Sequence, residues 1–184
     1  MWEKAWRPGK RSEGEYTMIQ QKEIQQEETA GLARPDWDTY FMNIAHVVKT
    51  RGNCCRRQVA AVIVKDRRII ATGYNGTPRG VRNCFEGGCE RCAGDAPSGT
   101  ALGECICCHA EENAVTQAAY HGTSVKDGVM YVTISPCLMC AKMIINAGIR
   151  EVVYDGDYRF TAQTKALLDE AGVLCRQLPA SPRE

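Results

Sequence analysis

Long apolar runs are missing from this 184-residue sequence: no stretch approaches the roughly 18 apolar residues that a membrane-spanning helix needs. The opening residues, Met1-Trp2-Glu3-Lys4, lack the apolar segment of a secretory leader, so a cytoplasmic chain is expected. An excess of charge is missing too. A formal net charge of +1 gives no electrostatic basis for a wide nucleic-acid footprint. With three Phe and three Trp, aromatic platforms for stacking single-stranded bases are also scarce. What remains is the composition of an ordinary globular protein, long enough for one domain with a sizeable core.

Cysteine, by contrast, is abundant. Eleven cysteines in a secreted miniprotein would suggest disulfides, but without a leader they point to metal ligation. They divide into a pair at Cys137 and Cys140, a cluster between Cys84 and Cys108 with Cys54 and Cys55 ahead of it, and an isolated Cys175 that reads as a core residue of a last strand.

Residues 1–34 read as an appendage. The polar run around Gln20, Gln21, Gln25, Gln26, Glu27 and Glu28 has little to bury and is expected to be disordered or a solvated helix, with Met18 an alternative start. Residues 35–178 form the expected domain, and residues 179–184 a fraying tail. Pro35 to Lys49 predicts a helix with Trp37, Phe41, Ile44, Ala45 and Val48 on its apolar stripe, His46 being a surface or core residue. Val59–Val64 and Ile69–Tyr74 read as a strand pair turning at Asp66-Arg67-Arg68. Asn75 to Gly80 is a turn by composition, where Asn75 either tolerates a left-handed conformation or reaches a ligand. Val81 to Cys108 is irregular and glycine-rich, and so long a loop is usually functional or held by something. A helix from His109, a strand at Val129–Ile134, a helix to about Ala147 stopped by Gly148, a strand at Arg150–Tyr154, a helix at Thr164–Ala171 and a strand at Val173–Leu178 complete the order. The result is a three-layer α/β/α fold around a five-stranded mixed sheet, its fourth and fifth strands parallel through a crossover helix.

Two short segments carry the chemistry. Catalytic zinc usually takes three protein ligands and leaves one position for water, and His109, Cys137 and Cys140 supply three donors of suitable softness. Ser135-Pro136 reads as an N-cap and first-turn proline, placing Cys137 and Cys140 one turn apart where the helix dipole favours thiolates. Glu111 lies two residues past the histidine as the catalytic acid–base, while Glu112 points about 100° away and reads as solvated or salt-bridged. A lone C-x-x-C reads equally well as a redox pair or a structural clip; the His-x-Glu half, the proline and the preceding strand make the combination specific. Paired in this way, the two segments resemble the signature of the zinc-dependent nucleobase deaminases.

From Trp37 to Leu178 the resemblance narrows to the deoxycytidylate (dCMP) deaminases, in particular the bacterial branch of late-competence ComE operon proteins. It is carried by Cys54-Cys55-Arg56-Arg57-Gln58-Val59, by Ile69-Ile70-Ala71-Thr72-Gly73-Tyr74-Asn75-Gly76, and by the two zinc segments. The resemblance implies a cytidine-deaminase-like fold and conversion of dCMP to dUMP with release of ammonia, feeding thymidylate synthesis. It also implies a homo-oligomer, often a hexamer, with dCTP and dTTP as effectors. A second, structural zinc is implied as well, with Cys54 and Cys107 among its ligands and partners drawn from Cys84, Cys89, Cys92 and Cys105. Better-known members use histidine in that loop; none occurs here, so an all-cysteine site is expected.

The expected chemistry is hydrolytic, with Glu111 taking a proton from zinc-activated water, passing it to ring N3 and assisting the departure of ammonia. Ala110, Ser135 and Pro136 are expected against the base and Asn75 against the sugar. A phosphate needs a cationic or N–H-rich seat, for which Arg79, Arg82, His121 and Lys165 are the candidates. Alternatives are a deaminase of dCTP or deoxycytidine, a tRNA or single-strand base deaminase, and a non-enzymatic cysteine-rich zinc module. The last leaves Glu111 without a role.

Overall fold

The computed structural model describes residues 34–97, 100–157 and 161–179. The chain divides between Pro35 and Asp36, and the Gln-rich stretch and Met18 lie outside the described residues. Helix α1 (Trp37–Lys49) is capped by the Asp36 carboxylate, which accepts from the Thr39 N–H at 2.8 Å. Strands β1 (Ala60–Lys65) and β2 (Arg68–Tyr74) follow, joined by a tight turn in which Asp66 and Arg67 both have positive φ, as a type I′ hairpin requires. Helix α2 (Ala110–Tyr120), strand β3 (Val129–Ile134), helix α3 (Leu138–Asn146), strand β4 (Glu151–Gly156), helix α4 (Ala162–Glu170) and strand β5 (Leu174–Gln177) complete the fold. Among the described residues no helix is long and apolar enough to cross a membrane.

The sheet order is β2-β1-β3-β4-β5. β1 is antiparallel to both neighbours, whereas β3, β4 and β5 run parallel. The parallel pairs follow from α3 and α4, each of which carries the chain back across one face of the sheet.

Alternation along the strands sorts the core into two layers. Val62, Val64, Tyr131 and Val153 face Phe41, Met42 and Ala45 of α1. Ala61, Ile63, Met130, Val132, Val152 and Tyr154 face Ala110, Ala114 and Ala118 of α2, Ala141 and Ile144 of α3, and Leu168 of α4. Because both faces are covered, the central strands read as continuous apolar runs. Each large aliphatic side chain buried this completely contributes about 1.5–3 kcal/mol.

Two details of the expected boundaries change. Ser135-Pro136 does not cap α3: the N-cap is Cys137, and the Ser135 hydroxyl donates instead to the Asp157 carboxylate at 2.9 Å. The chain leaves β3 extended through Pro136, so the helix begins two residues later. At the other end Gly148, with φ of 75°, closes α3: its N–H bonds the Ile145 carbonyl while the Ile149 N–H bonds that of Ile144, a Schellman stop.

Candidate active site and metal centres

The C-terminal end of β3 lies beside the N-terminal ends of α2 and α3, and the first site is built there. His109 is the N-cap of α2, Cys137 is the N-cap of α3, and Cys140 lies in the first turn of α3. The His109 Nδ1 lies 3.5 Å from Cys137 Sγ and 3.3 Å from Cys140 Sγ, and all three donor atoms fall within 4.8 Å of one another. Tetrahedral zinc with ordinary Zn–N and Zn–S bonds would hold such pairs roughly 3.5 Å apart. The three donors fit the ion.

Their protonation points the same way. The hydrogen bond with Cys140 pulls the Cys137 thiol down to about 3, and the same bond pushes Cys140 up. The hydrogen bond to Cys137 is also the main reason that His109 rises to about 9. The three donors converge on one point, the position a cation would take.

Glu111 lies one residue into α2, 4% exposed, with burial pushing its carboxyl above the ordinary range. Glu112 has a job other than solvation: its carboxylate accepts from the His109 N–H at 3.1 Å and so fixes the start of the helix.

Segment 73–76 positions this helix. A backbone bridge joins Gly76 to Cys108, the residue before His109, with the Cys108 N–H donating to the Gly76 carbonyl at 2.8 Å. Asn113 of α2 donates to the Tyr74 carbonyl at 2.7 Å. The Asn75 amide is engaged at both ends, accepting from the Val59 N–H at 2.8 Å and donating to the Arg57 carbonyl at 2.7 Å. One N–H and one lone pair remain on it, and the residue lines the same cavity as His109 and Glu111.

That cavity measures about 150 Å³ and is lined as well by Ala110, Ser135, Cys137, Arg56, Arg57 and Arg91. Pro136, fully buried behind Cys137, is not part of the lining. None of the four cations expected at a phosphate lines it either. Arg79 stacks on Tyr120, Arg82 donates to the Gly87 carbonyl, Lys165 pairs with Asp169, and His121 caps the far end of α2. The three arginines present were missed, although Arg56-Arg57 directly after Cys54-Cys55 was a visible signal. His46 is no ligand; it meets Asp155 at 2.9 Å.

A second group of donors forms from the long loop. Cys84 begins a 3₁₀ turn (Cys84–Glu86), Cys89 and Cys92 flank the helical turn Glu90–Ala93, and Cys105 and Cys107 precede His109. Together with Cys54 they cluster, and Cys84, Cys89, Cys92 and Cys107 are buried. Burial raises Cys92 and Cys107; at Cys89 burial also pushes upward, but backbone N–H groups of Cys92 and Ile106 together with the Cys92 and Cys105 thiols bring it down to about 7. All six expected residues come together rather than a subset of four. Cys108 and Cys175 stand outside the cluster, and Cys55 touches its edge.

The family described as cytidine and deoxycytidylate deaminase zinc-binding region matches residues 35–155. A deoxycytidylate deaminase of Schizosaccharomyces pombe is 46% identical over 144 residues, covering 78% of this chain and 44% of that protein. ComE operon protein 2 of Bacillus subtilis is 36% identical over 80% of this chain and 74% of its own. Among solved structures, dCMP deaminase from the cyanophage S-TIM5, in complex with dCMP and dUMP, aligns with a TM-score of 0.66 at 33% identity, over 79% of this chain and 99% of that one. The chain spans less than half the length of the fission-yeast relative. It belongs to the cytidine and deoxycytidylate deaminase family.

Proposed function

We propose that this chain hydrolyses the exocyclic amine of dCMP, giving dUMP and ammonia. The observation that carries the reading is the buried Glu111 carboxyl beside the His109, Cys137 and Cys140 donors, in a cavity that three arginines also line. His109, Cys137 and Cys140 would hold a zinc ion, which would supply an acidified water. The chain's own residues do the remaining work. Glu111 accepts a proton from the water as its oxygen bonds to C4 and delivers that proton to ring N3; it then takes the proton left on the C4 hydroxyl and passes it to the amine as the C4–N bond breaks and the C4 carbonyl forms. A carboxyl raised by burial gains and returns a proton readily, which suits a group that must do both. Ala110 and Ser135 line the cavity where the base would sit, and Asn75 would stand at the sugar.

The volume equals roughly five waters' share of liquid, room for a single ring. Arg56, Arg57 and Arg91 are then the phosphate seat, replacing the cations chosen from sequence. The cyanophage relative, solved with dCMP and dUMP, supports the choice of nucleotide. Structural zinc binding in the cysteine loop, a homo-oligomeric and hexameric assembly, dCTP and dTTP as effectors, and a cytoplasmic location belong to the same proposal.

Ammonia release from dCMP, dCTP, deoxycytidine and tRNA, measured side by side, tests the reading. A preference for dCMP over deoxycytidine of at least about tenfold in kcat/KM is expected, the effect of one charge-assisted hydrogen bond. Equal rates on the two would remove the nucleotide but leave the deaminase. Activity on tRNA alone would remove both dCMP and the small-molecule reading.

A further inference from the structure

The six loop sulfurs form two overlapping tetrads. Cys54, Cys84, Cys92 and Cys107 make one, Cys89, Cys92, Cys105 and Cys107 the other, and within each tetrad every sulfur lies within 4.8 Å of every other. Cys92 and Cys107 belong to both. We propose that this cluster binds two zinc ions, with Cys92 and Cys107 as bridging thiolates and the other four cysteines as terminal ligands. One closed tetrahedral site needs four thiolates and two separate sites need eight; sharing two lets six suffice.

The distances support two tetrahedra rather than one. A Zn–S bond of about 2.3 Å sets the sulfurs of a tetrahedron roughly 3.8 Å apart. Cys54 and Cys92 are 3.9 Å apart in the first tetrad. In the second, Cys89 lies 3.9 Å and Cys92 3.6 Å from Cys105. These spacings are far beyond a disulfide, at about 2.05 Å, and all six cysteines are free. A single ion in either tetrad would leave two converging sulfurs of the other unligated, one of them in each case 1% exposed: Cys89 or Cys84.

The surroundings are those of a thiolate cluster. Backbone N–H groups of Arg56 and Arg57 point at Cys54 and those of Cys92 and Ile106 at Cys89, donors that stabilise charge on sulfur. Cys55 is left out: it is exposed, and it donates to the Cys92 carbonyl at 3.5 Å while standing 3.7 Å from Cys84. Loading exchanges six thiol protons for two dications, so the cluster ends with a net charge of minus two, beside Arg56, Arg57 and Arg91. Its binding energy offsets the ordering entropy of a loop whose regular structure amounts to single turns. The proposal stands whether or not dCMP is the substrate.

Zinc counted per chain in the full-length protein, purified without chelator and saturated with zinc, reads the proposal directly. Three ions are expected, one at His109, Cys137 and Cys140 and two in the cluster; a ceiling of two overturns it. Cadmium NMR of the cadmium-exchanged wild-type protein needs no variant to fold. Two tetrathiolate resonances coupled to each other through the shared sulfurs are expected, and a single resonance or two uncoupled ones overturn the bridging. The double variant Cys89→Ser/Cys105→Ser should bind fewer ions than wild type, and an unchanged count overturns the second tetrad.

Discussion

Gly73 of β2 lies so close to Ala110 at the start of α2 that a β-carbon on it would stand 2.2 Å from the Ala110 carbonyl oxygen and 2.3 Å from the Ala114 nitrogen. Both are backbone atoms of the helix that carries His109 and Glu111 at its start, so no side-chain rotation relieves the contact. Only glycine lets the helix sit this close to the sheet, and that approach is what brings His109 and Glu111 to the start of α3.

Gly73→Ala should therefore push α2 outward. Overpacking of this kind costs about 1–3 kcal/mol, and more where backbone must move. Urea midpoints of the zinc-loaded proteins would show the loss, with turnover falling further than stability alone explains. An unchanged midpoint would mean that the helix can shift at no cost.

Glu111→Gln separates chemistry from metal binding. The amide cannot carry the proton, so turnover should fall by about 10²–10⁴-fold while the zinc content stays that of wild type. His109→Ala and Cys140→Ala should show the reverse order of effects, with zinc lost first and activity following it. Elemental analysis beside the rate assay checks all three.

Asn75→Ala removes two hydrogen bonds to backbone, at Val59 and Arg57. A stability loss of about 1–3 kcal/mol is expected without any substrate present. If the variant unfolded like wild type and only KM rose, the residue would act on the sugar alone.

Arg56→Ala and Arg57→Ala test the phosphate seat. Each should narrow the preference for dCMP over deoxycytidine while leaving kcat/KM for deoxycytidine nearly as it was, since the nucleoside has no phosphate to lose. Equal losses on both substrates would assign these arginines to the shape of the cavity.

Tyr131 offers a pH-dependent check on the α1 face. Burial, then its 2.8 Å hydrogen bond to Asp38, holds the phenol above its ordinary value near 10. The unfolded chain loses this proton first, so the contribution is fully present below about pH 10 and is lost as pH rises through the folded value. Tyr131→Phe should cost about 1 kcal/mol at neutral pH and should flatten the decline in stability between about pH 9 and pH 11. A wild-type protein whose midpoint did not fall over that range would contradict the assignment.

Sequence alone determined the elements and the three donors that converge at the first site. Periods of two and of about 3.6 place Val62, Ile63, Phe41 and Ala45 on their faces because burial is decided locally by which way each side chain points. His109, Glu111, Cys137 and Cys140 were legible for a similar reason: each pair is bound to one helix start, so short-range spacing fixes its geometry. The start of α3 was misread by two residues because proline is tolerated both inside a first turn and in the extended chain before it, and only the path out of β3 decides between them. The cysteine loop could be read as a set of six candidate ligands but not as an arrangement, and the arginines were not singled out. Cys54 and Cys92 are separated by a hairpin, and Arg57 reaches the cavity of Glu111 only because β1 lies beside β3. Which thiols share an edge, and which cations face the cavity, are long-range contacts; sequence spacing carries no distance across them, and the packed sheet supplies it.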